Sequence, residues 1–371
     1  MMIKKALFVF VLLLLLVGIA AAQDATPEAT PAEATTEATL IEATAEATSI
    51  APTAEAIVAA TSVKATAEAT TELTAEATSE ATSEATAEAT PAVRFKAAGS
   101  YTVRQQVADL TRQYIVHVPQ KYFDDKKSVP LVLMLHGASG TGQGMEAFTG
   151  FDKLSDKEGF IVAYPDAINT AWNDGRGDDA SVIDDVGYLE HIIDSVAAKA
   201  DIDRKRVYAA GYSRGGMMAY LLGCVLPDKI AAVVSVSSTF PIYEFDQCKD
   251  SVPKPVMIIQ GTDDPIVPWM GIQSAYFSAT DSLRFWGKHN QCSILGPIKD
   301  SADINPLDGT RLLTQEAVKC KQPVILYGVF HGGHTWPGHP VQTDTNLGLT
   351  SLDFDASVTI WEFFKAQSLP S

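Results

Sequence analysis

The stretch VYAAGYSRGGMMAYLLGCV, residues 207–225, decides the fold. Val207 to Ala210 is a short apolar run without alternation, which suits a strand buried on both faces. Gly211-Tyr212-Ser213-Arg214-Gly215-Gly216 breaks that run, and from Met217 to Leu226 the pattern is helical. Strand, tight glycine turn and helix are the context in which G-x-S-x-G lifts a serine hydroxyl above a sheet. A free hydroxyl is a weak nucleophile and needs a base beside it. The helix N-terminus beneath it adds positive potential where an oxyanion develops. Taken without this context, the five residues are moderately specific, a Gly-rich packing turn being the minority alternative.

Outward from this stretch, similar apolar runs recur at Leu131–Leu135, Phe160–Tyr164, Ile230–Val236, Val256–Ile259 and Val324–Tyr327. Helical patterns lie between them. Val186, Leu189, Ile193, Val196 and Ala197 share one face, with Asp185 as the expected N-cap, and Ser282–His289 and Phe354–Gln367 read alike. Alternation of this kind predicts an α/β fold, a mostly parallel central sheet with helices on both faces. Ser100 to Val118 alternates instead and predicts a leading antiparallel hairpin.

Ligands in such sheets bind beyond the carboxyl ends of the strands, so the residues just after each run matter most. After Val256–Ile259 stands Gly261-Thr-Asp263-Asp264-Pro265, and after Val324–Phe330 stands His331-Gly-Gly-His334-Thr-Trp336. Both follow the serine in the order serine, acid, histidine. Either aspartate could orient the base; Asp264 is preferred, with Asp263 as a loop or capping residue. His334 sits farther out on a Gly-rich loop, and His331 reads as structural. A metal cluster of His331, His334 and His339 lacks neighbouring carboxylates, so no metal or cofactor is expected. The loop Leu135-His-Gly137-Ala138-Ser-Gly140 supplies a second backbone N–H at Ala138 to match that of Arg214 as an oxyanion hole. Phosphate binding there is disfavoured because Gly-Lys-Ser/Thr is absent. Trp172, Trp269, Trp336 and Phe240 fall in loops near these candidates, where they would either clamp a substrate or pack locally.

Together LVLMLHGASGTGQG, VAYPDA, DDVGYLEHIID, the stretch beginning at Val207, MIIQGTDDPIVPW and GGHTWPG resemble the secreted polyhydroxybutyrate depolymerase and feruloyl esterase-like family of the α/β-hydrolase fold. The resemblance covers nearly all of residues 94–371. It implies Ser213 as nucleophile, Asp264 as acid and His334 as base. Arg214 stands where Asn is common and Trp269 where Tyr is common, which bears on substrate preference. With histidine as base, activity should fall below about pH 6 to 7, because a free imidazole titrates near 6.5.

The rest of the chain sets the context. Lys4 and Lys5 precede an apolar run from Ala6 to Ala22, read as a secretory signal over residues 1–22. An uncleaved membrane anchor is the alternative, but the run is shorter than a span prefers. Residues 23–93 form an Ala/Thr/Glu-rich linker whose 23–92 stretch holds ten Glu-Ala-Thr copies and no aromatic residue. Such a segment cannot offset its ordering entropy, so a disordered, solvated spacer is expected. The catalytic domain is placed at 94–371. Net charge is −17 over 371 residues, which argues against nucleic acid as a partner. In an exported protein the four cysteines suggest disulfides, and local loops would pair Cys224 with Cys248 and Cys292 with Cys320, as the resemblance also suggests.

The expected activity is that of a secreted or cell-surface serine carboxylic ester hydrolase with no cofactor. Its substrate would be feruloyl or acetyl esters of plant polysaccharide, or short polyhydroxyalkanoate polyesters. No membrane partner is expected once the signal is cleaved. A serine peptidase of the same fold is the competing enzyme, and a non-catalytic surface-binding protein the competing class. Oligomeric state is not legible in the sequence.

Overall fold

The computed structural model describes residues 93–339 and 345–370. The expected signal and linker, residues 1–92, lie outside the described residues. Eleven strands are found among those described: β1 (Gly99–Val107), β2 (Leu110–Val118), β3 (Val129–Leu135), β4 (Ile161–Pro165), β5 (Ile202–Tyr212), β6 (Ala232–Val236), β7 (Val256–Gly261), β8 (Ile294–Leu295), β9 (Lys299–Asp300), β10 (Arg311–Val318) and β11 (Val324–Phe330). They form one sheet in the order β1-β2-β4-β3-β5-β6-β7-β11-β10-β8, with β9 on β10. The middle, from β4 through β11, is parallel; β1–β2–β4 and β11–β10–β8 pair antiparallel at the two margins. The leading hairpin and the parallel centre thus match expectation. The far margin, β8 to β10, was not expected, because Arg311–Val318 is a half-exposed strand with a mixed polar pattern.

The helices are α1 (Gln120–Asp125), α2 (Gly142–Thr149), α3 (Phe151–Glu158), α4 (Asp185–Lys199), α5 (Arg214–Val225), α6 (Phe245–Cys248), α7 (Ala279–His289) and α8 (Ala356–Lys365). Side chains alternate across a strand, so β3 feeds two cores. Leu131, Leu133 and Leu135 pack with α4, α5 and α7, whereas Val132 and Met134 pack with α2, α3 and α8. That every residue of β3 is buried is why its apolar run shows no alternation. Helices cover both faces, as the α/β reading requires.

Two local expectations are corrected. Asp185 is not the cap of α4; Asp184 is, its carboxylate accepting from the Gly187 N–H at 2.7 Å. Asp185 is instead fully buried and paired with Arg112 at 2.5 Å, the guanidinium lying 3.7 Å over the Tyr188 ring. Helix α7 starts at Ala279 rather than Ser282, since Ser278 caps it through the Asp281 N–H at 2.9 Å. Both disulfides, Cys224–Cys248 and Cys292–Cys320, are formed.

Candidate active site

Strand β5 enters α5 through Ser213, whose backbone sits at φ 54°, ψ −123°. A non-glycine residue rarely occupies that region, and surrounding contacts must hold it there. The two flanking glycines make this feasible. A Cβ on Gly211 would meet the Gly215 carbonyl at 2.2 Å, and one on Gly215 would meet the Leu135 carbonyl oxygen at 2.3 Å. The turn therefore closes on itself and against the end of β3, and no larger residue fits either position.

Asp264 and His334 come together where β7 and β11 end. Asp264 Oδ2 lies 2.8 Å from His334 Nδ1, with the side chains 0% and 5% exposed. The same oxygen accepts from Gln260 Nε2 at 3.0 Å, and Oδ1 accepts from the Ile266 and Val267 N–H groups, each at 2.8 Å. Four donors thus converge on one buried carboxylate, leaving it a single orientation. The two loops meet main chain to main chain: a Cβ on Gly261 would lie 2.2 Å from Gly332 O, and one on Gly333 would lie 2.0 Å from Leu347 O. His334 is further pinned by its N–H to Leu347 O at 2.6 Å.

Tyr212 links this pair to the elbow. Its hydroxyl donates to His334 O at 2.6 Å, and its ring centroid lies 5.0 Å from the imidazole. The residue before the serine therefore holds the histidine loop. On the other side, a Cβ on Gly137 would touch Ser213 Cβ at 3.3 Å, so the His136–Gly140 loop lies against the serine. His136 shapes this loop. Its Nε2 accepts from the Ala167 N–H at 3.0 Å, so Nδ1 carries the proton and donates to Gly137 O at 2.7 Å. Burial pushes its imidazole below the usual range, which keeps it neutral. Ser139 N–H is used by Thr170 O, whereas Ala138 is exposed beside the elbow and Arg214 is the first helical residue, whose N–H has no intrahelical acceptor.

The Arg214 side chain turns away from the serine. It contacts Asp178 at 2.7 Å and Asp174 at 3.4 Å. Fully buried Asp174 also binds Arg176 at 2.5 Å and accepts from the Tyr243 hydroxyl at 3.0 Å. The hydrogen bond from Arg214 holds Asp178 below the usual carboxylate range. This network fixes the 173–178 loop against the start of α5.

Of the three tryptophans read as substrate-binding, two are fully buried and Trp269 is partly exposed. Trp172 is 0% exposed, its indole N–H donating to His136 O at 2.8 Å. Trp336, also 0% exposed, donates to Ser357 Oγ at 3.0 Å. Both brace loops of the site from behind, and neither offers a surface to a ligand. Trp269 lies across Gly328 of β11, and buried Phe240 stacks on Phe285. The cavity beside the elbow, about 340 Å³, is lined instead by Ala138, Thr141, Met145, Phe148, Tyr212 and Leu347. Sequence reasoning missed Gln260 and Tyr212 as supporting residues. A glutamine inside the run VMIIQG was the available signal for the first. Among the described residues, no group of three His, Cys, Asp or Glu side chains is placed to hold a metal, and no helix is long and apolar enough to cross a membrane.

The Phospholipase/Carboxylesterase family model matches residues 122–291. A putative esterase, NocK, from Nocardia uniformis subsp. tsuyamanensis is 30% identical over 67% of this chain and 78% of its own length. Feruloyl esterase B of Piromyces equi is 29% identical over 70% of this chain, which spans only 46% of that longer relative. Among solved structures, an acetyl xylan esterase from Aspergillus awamori aligns over 63% of this chain and 94% of its own, at 15% identity and a TM-score of 0.47. With the elbow in the sheet order described above and a relative of that likeness over most of both lengths, the chain belongs to an esterase family of the α/β-hydrolase fold.

Proposed function

We propose that Ser213, His334 and Asp264 carry out two-step acyl transfer on carboxylic esters. The observation that carries this reading is the buried His334–Asp264 hydrogen bond of 2.8 Å, tied through Tyr212 to the strained serine corner. His334 Nε2 takes the Ser213 proton as Oγ attacks the ester carbonyl, forming the new C–O bond. The N–H groups of Arg214 and Ala138 receive the oxyanion. Collapse expels the alcohol, protonated by the imidazolium, and water then releases the acid by the same path in reverse. Asp264 keeps the Nδ1 proton in place and stabilises the imidazolium that forms.

The substrate side is read from a mostly apolar cavity and from the relatives. Met145, Phe148, Tyr212 and Leu347 offer a small apolar wall next to the oxyanion loop, which suits an acyl group of modest size. Proteins named feruloyl esterase recur among the relatives. We therefore favour feruloyl or acetyl esters of plant polysaccharide, with short hydroxyalkanoate polyesters as the second class. The apolar N-terminus behind Lys4 and Lys5 supports export, with residues 23–93 as a spacer before the catalytic domain.

Hydrolysis of methyl ferulate, acetylated xylan, graded p-nitrophenyl esters and a hydroxybutyrate oligomer, each with Ser213→Ala alongside, tests both levels. Loss of turnover in the variant by at least ~10³-fold is expected. Equal activity of wild type and variant would remove Ser213 from the mechanism, and the preferred ester decides the substrate class.

A further inference from the structure

A cavity larger than the one beside the elbow lies away from the catalytic end. It measures about 810 Å³ and opens at the opposite pole, where β6, β7 and β11 begin. Its walls are mostly apolar, supplied by Pro227, Ala231, Val252, Pro253, Pro255 and Leu369. The proline rings present flat C–H faces. Its charged lining is Arg204, Lys205, Lys254 and Lys321 against the single acid Asp228. In a chain of net charge −17, four cations around one apolar cavity run against the overall balance.

Lys254 is the centre of this arrangement. It is 2% exposed, and its ammonium donates to Pro227 O at 2.8 Å and to Ile230 O; no carboxylate forms an ion pair with it, and Asp228 of the same cavity acts on it only at longer range. Burial lowers the ammonium to about 8, so at neutral pH it remains mostly charged. A buried cation satisfied only by carbonyls retains a demand for an anion. Its backbone is clamped by one side chain: Asn290 Oδ1 accepts the Lys254 N–H at 3.0 Å, and Asn290 Nδ2 donates to Lys254 O. The Asn290 carbonyl in turn receives the Lys321 N–H at 2.9 Å. Arg204 is engaged with Asp194 at 2.7 Å, whereas the ammonium groups of Lys205 and Lys321 form no ion pair among the described residues, Asp203 acting on Lys205 only at longer range.

The disulfides frame the same pole. Cys224–Cys248 ties the segment leading to Pro227 to the one leading to Val252, and Cys292–Cys320 ties the end of α7 to the residue before Lys321. The cavity walls are thus covalently held in place, and a preformed, mostly apolar pocket with a few convergent polar groups is the usual form of a small-molecule site.

We propose that this polar-ringed cavity binds a small amphipathic carboxylate, an apolar ring carrying one carboxylate group, at a site separate from the catalytic end. The ring lies against the proline faces, and the carboxylate faces Lys254, Lys205 and Lys321. The volume accommodates a ligand of one to two rings.

Calorimetric titration of the full chain with 2-naphthoate tests this, with the neutral alcohol 2-naphthylmethanol as comparison and Lys205→Glu/Lys321→Glu as the altered protein. Both lysines are exposed, so the variant should fold, which its circular dichroism and melting temperature verify. The expected result is saturable binding of the acid, at least tenfold weaker binding of the alcohol, and at least tenfold loss in the variant, with p-nitrophenyl acetate hydrolysis unchanged. No binding of the acid at millimolar concentration overturns the proposal. So does equal affinity for acid and alcohol, or undiminished affinity of the variant, which would place the ligand elsewhere. None of these readouts depends on Ser213, so failure here is distinct from failure of the catalytic reading.

Discussion

Two histidine–aspartate pairs stand side by side at the ends of β7 and β11. His334–Asp264 and His331–Asp263 use neighbouring residues of the same two loops, at 2.8 and 3.0 Å, both through Nδ1. By distance they are nearly alike. Their surroundings differ: side-chain exposure is 5% and 0% for the first pair, 52% and 56% for the second. Asp264 accepts from Gln260 and two backbone N–H groups besides its histidine, whereas Asp263 has Thr262 Oγ1 and His331. An exposed pair exchanges its partners with water and is worth little. A buried carboxylate with every lone pair filled has one orientation, and the imidazole it holds has one tautomer. The comparison teaches that residue type and spacing nominate an acid–base pair, while desolvation and supporting donors decide which pair is held in one orientation.

Substitutions separate the pairs most sharply at the acid. Asp264→Asn should lower kcat/KM for a p-nitrophenyl ester by about 10³ to 10⁴, because the amide no longer holds the required tautomer. An effect below tenfold in a folded variant would shift the acid role away from Asp264. Next comes Gln260→Leu, which leaves an Asp264 lone pair and Val267 O without their donor. Stability should fall by about 1–3 kcal/mol, and kcat by roughly tenfold with KM little changed; a matched loss in both constants would instead indicate substrate contact. Tyr212→Phe removes the donor to His334 O and should cost about 1 kcal/mol, seen as a melting point lower by about 2–4 °C and a few-fold drop in kcat. At the small end, Asp263→Asn should alter kcat/KM less than about twofold and stability within ~0.5 kcal/mol. A large rate loss there would break the distinction between the pairs.

The elbow was legible because its requirements are local: a glycine on each side of Ser213, a buried strand before it and a helix after it. The choice between Asp263 and Asp264 was less so, since adjacent residues of one turn differ only in which way the chain later covers them. The tryptophans misled for a related reason. Trp172 falls in the loop after a strand and Trp336 two residues after His334, yet large apolar rings are drawn into the nearest core, and their indole N–H groups found buried partners at His136 O and Ser357 Oγ. Likewise Asp185 read as a cap because it opens a helix, but its charge is needed by Arg112, 73 residues earlier. Long-range partners of that kind leave no trace in a local pattern. The cavity at the far pole is equally silent in sequence, as its lining comes from five separate segments.

The loops bearing Asp264 and His334 meet through main chain as well as through their side-chain pairs: the Asp263 N–H donates to Gly332 O at 3.0 Å, and Gly261 lies so close to that carbonyl that a Cβ would meet it at 2.2 Å. Spacing set by peptide planes does not change when rotamers hop, whereas the neighbouring cavity is walled by Met145, Phe148, Tyr212 and Leu347, whose side chains do. Warming should therefore blur which ester is preferred well before it disturbs proton transfer. Selectivity and chemistry are in this sense built from materials of different stiffness, and directed evolution has free play in the softer one.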